Sequence, residues 1–177
     1  MAEMTVGNHE VDAMDWKTAI LAGVIAGVVF LVMEMMLMPL FGFAPNMWAP
    51  PRMIAAIGLG EGVLPMPEGP PPTFDFMVVM VAMMIHFATS ILFAVVVSYI
   101  IRRMPMGAAI ALGIVAALLL YGFVFYVMAA GPWPWFAMGR NWVNIMTHVV
   151  FGAIVAWWYK ARAHAGHVHT GMATAAR

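Results

Sequence analysis

An all-α integral membrane protein, folded as a bundle of four transmembrane helices, is predicted here by three observations. The 177 residues are 64% hydrophobic and only 9% charged, where a soluble domain carries about 25% charged residues. Mean hydropathy is +0.92. The charges punctuate the chain and leave four long charge-free runs: Thr18 to Met33, resuming after Glu34 as far as Pro51; Phe76 to Ile101; Met104 to Gly139; and Asn141 to Tyr159. Each holds the ~20 residues that cross a hydrocarbon layer about 30 Å thick.

The first helix is predicted over about 18–40, opened by Trp16 and Lys17 and closed near Pro39. Its Gly23-x-x-x-Gly27 spacing allows a neighbouring backbone to come close. A proline-rich loop follows, and within it the stretch from Arg52 to Gly60 reads as a short interfacial helix, too brief to span. The second helix is predicted over 76–101, ending at Arg102 and Arg103, and Pro105 marks a tight turn into a third over 107–128. The run Gly131-Pro-Trp-Pro-Trp-Phe supplies an aromatic belt before a fourth helix over 140–159. The chain thus divides into an N-terminal segment 1–15, a transmembrane domain 16–160 and a disordered, histidine-containing tail 161–177.

Of the eight Lys and Arg residues, Lys17, Arg102, Arg103, Lys160, Arg162 and Arg177 fall on one side and Arg52 and Arg140 on the other. The positive-inside rule then places both termini in the cytoplasm and the proline-rich loop outside. No basic region precedes the first apolar run, so that helix is expected to be retained and not cleaved as a signal peptide. With no cysteine there is no disulfide, thiolate metal site or iron–sulfur cluster. A net charge of zero without a basic tract argues against nucleic-acid binding. No nucleophile with its base, phosphate-cradling loop or other catalytic constellation is present.

Glu34, His86 and His148 stand inside these apolar runs, where ionisable groups are expensive and call for a reason. At 1.5 Å per residue, all three lie within about ten residues of the outer end of their helix, as does Tyr121. Helical periodicity puts Glu34 on one face with Gly23, Gly27 and Met38; His86 with Ala82 and Ser90; Tyr121 with Gly113 and Ala117; and His148 with Asn141, Asn144 and Gly152. Each polar residue shares the small-residue face that packs inward. Glu34, His86, Tyr121 and His148 are therefore expected to converge, with Ser90 and Asn144 nearby and Arg140 within reach of Glu34.

Such a cluster can be structural, each group satisfying another in lipid. Two imidazoles and a carboxylate also suit a transition metal. His86 and His148 could instead be the axial ligands of a haem b. A copper-handling reading rests on twenty methionines, on Met80-x-x-x-Met84, and on His164, His167 and His169 in the tail.

The segments Arg52-Met-Ile-Ala-Ala-Ile-Gly-Leu-Gly, Thr73-Phe-Asp, His86-Phe-Ala-Thr-Ser, Pro134-Trp-Phe-Ala-Met-Gly-Arg-Asn-Trp and His148-Val-Val-Phe-Gly resemble a family of small four-helix bacterial inner-membrane proteins, many of them labelled sodium:proline symporters. The resemblance covers residues 16–160 and implies fold and membrane location. The symporter label does not suit this chain, because a secondary transporter of that kind needs inverted repeats and broken helices. With little mass outside the bilayer, the chain reads as an accessory subunit of a larger inner-membrane complex, respiratory or metal-dependent. The loop around Trp133 and Trp135, with the proline-rich loop, would then be its outer docking surface.

Overall fold

The computed structural model describes residues 14–66 and 68–174, with side chains as far as 163. Four helices, Trp16–Leu40, Phe76–Ile101, Met106–Ala130 and Trp142–Ala163, are long and apolar enough to cross a membrane. The architecture is that of an all-helical, multi-pass membrane protein, with no strand among the described residues.

Helix α1 spans Trp16–Leu40. The Asp15 carboxylate starts it, accepting from the Thr18 N–H at 3.0 Å and the Thr18 hydroxyl at 2.7 Å, which satisfies donors that a helix start leaves free. It ends at Leu40, one residue past Pro39 and close to where it was predicted to close. A short helix, α2, spans Ala49–Leu59, with prolines at its first positions and Gly60 at φ 82 as its stop. Helix α3 spans Phe76–Ile101 and is capped by Asp75, which accepts from the Val78 N–H at 3.1 Å. These bounds are the predicted ones.

The third span departs from expectation. Helix α4 is regular only over Met106–Gly122; a π-helical turn follows over Phe123–Val127 and a 3-10 turn over Met128–Ala130. The aromatic segment before the fourth helix folds in part as a 3-10 run, Pro134–Gly139. Helix α5 begins at Trp142, capped by Asn141, whose side chain accepts from the Asn144 N–H at 3.1 Å. Its backbone runs on to Thr174, where a disordered tail from 161 was expected. The alanine-rich sequence after Tyr159 contains no proline to stop it. The side chains of His164, His167 and His169 lie outside the described residues, as do Arg177 and most of the segment 1–15.

Neighbouring helices run antiparallel, in the order α3, α1, α5, α4, while α3 and α4 scarcely touch each other. The close approaches are made by glycine. A Cβ on Gly23 would stand 2.7 Å from the Ile91 Cα, and one on Gly113 would stand 2.5 Å from the Gly152 carbonyl oxygen. The small-residue faces thus pair α1 with α3 and α4 with α5. Toward the α3–α4 turn the core is tight, built from Ala19, Ala26, Ala94, Val97, Ala109, Val155 and Tyr159. The Lys160 ammonium donates to the Arg102 carbonyl at 3.1 Å and ties the turn to α5. We call this the turn end.

The opposite end is covered by α2 and the 134–139 run, and we call it the capped end. Ala55 of α2 packs on Val78 and Ala82 of α3. Trp135 and Phe136 pack with Tyr121, Phe125 and Ala56. The Arg52 guanidinium gathers the proline-rich loop, donating to the carbonyls of Val63 and Thr73 at 3.0 Å each.

Candidate functional site

Beneath the cap lies a cavity of about 300 Å³, bounded by all five helices and the 134–139 run. Its wall is mostly apolar, with Met53, Ile54 and Ile57 of α2 above, Phe30 and Leu31 of α1 and Phe151 of α5 behind, and Leu120 and Val124 of α4 to one side. Into this wall are set Glu34, His86, Ser90, Asn144 and His148, each at least nine-tenths buried. Three residues singled out as unexplained charges or imidazoles therefore share one chamber.

Each is held by a defined partner. The Thr147 hydroxyl donates to Glu34 Oε1 at 2.6 Å. His148 Nδ1 lies 2.7 Å from the Asn144 carbonyl, and His86 Nε2 lies 2.9 Å from the Gly27 carbonyl. A carbonyl can only accept, so each of these ring nitrogens carries the proton. In the neutral ring the other nitrogen, Nε2 of His148 and Nδ1 of His86, then offers a lone pair. Asn144 Nδ2 donates to the Gly139 carbonyl at 2.9 Å and touches the Met38 sulfur at 3.9 Å. The Ser90 hydroxyl donates across to the Gly23 carbonyl at 2.6 Å, a bond that the glycine makes possible by letting α1 and α3 approach.

Two expected members stand elsewhere. Tyr121 is buried and sets its ring against His148, centroids 5.4 Å apart, but it packs with Phe125 and does not line the cavity. Arg140 makes no ion pair with Glu34. It is exposed, its Nε donates to the Phe125 carbonyl at 2.7 Å, and its guanidinium covers the Tyr126 ring at 4.6 Å. The physical reason is the π turn, which shifts the backbone pairing there and presents Phe125 to the nearest donor.

The aromatic loop is likewise committed inward. Trp135 is 9% exposed and its indole N–H donates to the Met53 carbonyl at 3.0 Å, so this part of the loop closes the cavity and is not an exposed docking surface. Met80 and Met84 are exposed on the outer face of α3, away from His86. Among the described residues no group of three or more His, Asp or Glu side chains is placed to hold a metal ion. The Phe30 ring stacks on His86 at 5.6 Å and meets His148 edge-on at 4.9 Å, so one aromatic side chain lies against both imidazoles.

Sequence reasoning missed Thr147, Phe30 and the placement of α2, which it expected only as a short interfacial helix. Thr147 is one residue from His148 on the face already assigned to Asn144, so helical periodicity contained a signal for it. Phe30 lies one turn before Glu34 and carried the same signal. Nothing local shows that α2 folds over the chamber. Beyond Met38, Pro50 and Met53, which form a shared wall, a second hollow of about 320 Å³ opens within the proline-rich loop. No family model, curated protein or solved structure matches the chain.

Proposed function

We propose that this protein is a non-catalytic binder of a small, membrane-soluble molecule, held in the cavity beneath the cap. One observation carries the reading: an apolar chamber of about 300 Å³ that keeps a carboxylate and two imidazoles facing a common space. Ligand sites have this composition, an apolar body with a few polar groups that fix orientation, and this volume is at the small end of their range. Glu34 accepts one hydroxyl at Oε1 and each imidazole commits one ring nitrogen to a backbone carbonyl, which leaves Glu34 Oε2 and one nitrogen of each ring for an occupant.

The bias of basic residues supports placing the termini and the turn end in the cytoplasm, and the capped end outside the inner membrane of a bacterium, with α2 at the interface. Membership of the small four-helix inner-membrane family rests on the segments named above. An accessory role in a larger complex draws on the small extramembrane mass and on exposed side chains such as Met36, Leu92 and Leu119, which suit a lateral partner as they suit lipid.

The test is extraction of the detergent-purified protein with organic solvent, followed by mass spectrometry, for the wild type and for Leu120→Trp, which fills the chamber from α4. A small molecule retained by the first and lost from a folded second variant is the expected result. Identical extracts from the two would overturn the reading.

A further inference from the structure

The cavity's polar groups are not evenly divided between donors and acceptors. Among the described residues Glu34 is the only acidic side chain in its wall, and no Lys or Arg shares that wall. Its hydrogen-bond partner is the Thr147 hydroxyl, a neutral donor, and the two imidazoles turn an N–H each toward backbone carbonyls. The chamber thus offers a carboxylate and imidazole lone pairs, an acceptor surface without a built-in cation. Around it stand five aromatic rings, those of Phe30, Phe125, Trp133, Phe136 and Phe151. Aromatic faces attract cations, quaternary ammonium groups above all, and more strongly where water is excluded. A buried charge is normally balanced by a partner, and among the described residues lining the cavity there is no cationic side chain.

The route in is visible as well. Thr89 of α3 lines the cavity and is exposed, and Leu120 of α4 and Val124 of the π turn line it as well. Those two helices scarcely touch. At this edge of the chamber an exposed side chain and a sparse helix contact coincide.

Resting on the binding reading above, we propose that the occupant is an amphipathic organic monocation, an ammonium or comparable cationic head on an apolar body. Glu34 serves as its counter-ion and the aromatic rings as its cage, and it is admitted from the bilayer between α3 and α4.

The test uses the full chain in detergent and equilibrium dialysis with radiolabelled benzyltrimethylammonium, with neopentylbenzene, its uncharged carbon isostere, as competitor. Saturable uptake at one site is expected. Glu34→Gln, which keeps an oxygen for Thr147, weakens it by roughly tenfold or more, Glu34→Asp by less, and the neutral isostere displaces the cation only at roughly tenfold higher concentration or above. Leu120→Trp abolishes uptake while leaving the bundle folded, which keeps the test decisive should Glu34→Gln fail to fold. Equal competition by neopentylbenzene, or undiminished uptake by a folded Glu34→Gln, would overturn the cationic class and leave the binding reading standing. Absence of any uptake also overturns it, and the solvent extract then decides separately whether the cavity holds a neutral molecule instead.

Discussion

The two ends of this bundle are built on opposite rules. At the turn end, glycine and alanine let backbones touch: a Cβ on Gly152 would meet the Gly113 carbonyl and the Ala117 side chain, and the surrounding core is close-packed. At the capped end the same helices carry Phe, Met, Leu and polar residues, and they enclose a chamber. Helices in lipid gain no hydrophobic drive to associate, so close van der Waals packing of small residues must hold them together. The comparison teaches that one half of the membrane depth carries the assembly of the fold, which frees the other half to stay hollow and polar.

The sharpest way to break this contrast is Gly152→Leu. A side chain inserted against the Gly113 backbone has no room to relax, and overpacking of this kind destabilises by about 3 kcal/mol or more. Thermal unfolding in detergent is expected to show that loss, whereas Leu120→Trp in the hollow half leaves the midpoint almost unchanged. Equal effects at the two sites would refute the division of labour.

Thr147→Val tests the polar half. It strips Glu34 of its hydroxyl donor, and an unsatisfied buried acceptor costs about 1–3 kcal/mol. Adding Glu34→Leu removes the acceptor as well, so the double variant should recover much of the loss in the same unfolding assay. Strictly additive losses would show that the pair does not interact.

A smaller effect, about 1 kcal/mol for one neutral hydrogen bond, is expected from Trp135→Phe, which deletes the donor to the Met53 carbonyl. Hydrogen exchange should rise in α2 and stay constant in the α4–α5 contact. Smallest of all is Met80→Leu with Met84→Leu: both residues are exposed on α3, so stability should move by less than about 0.5 kcal/mol. Cuprous ion uptake that disappeared in this double variant would revive the copper reading.

Much of this was legible in the chain. The bounds of α3 and the inward faces of all four spans follow from hydropathy and helical period. Gly23, Gly27, Gly113 and Gly152 were marked as packing residues, and all four are in tight contacts. The exceptions share a cause. Arg140 was assigned to Glu34 on reach alone, but the π turn at Phe125 competes for it. Trp135 was assigned to the surface because interfacial aromatics usually lie there, yet its indole N–H finds a carbonyl of α2 and is satisfied inside. Tyr121 shares the depth and face of the cluster but is turned to Phe125.

The sequence by itself determined which segments cross the bilayer, which face of each helix turns inward, and that Glu34, His86 and His148 lie at one depth. These are one-dimensional properties, set by composition and by the 3.6-residue repeat. Only the tertiary structure decided that α1 sits between α3 and α5, that Thr147 meets Glu34, that Phe30 lies against both imidazoles, and that α2 closes a chamber over them. Those facts depend on the order of helices around the bundle and on contacts between residues far apart in the chain. That order is chosen by packing summed over whole faces, which no local spacing encodes.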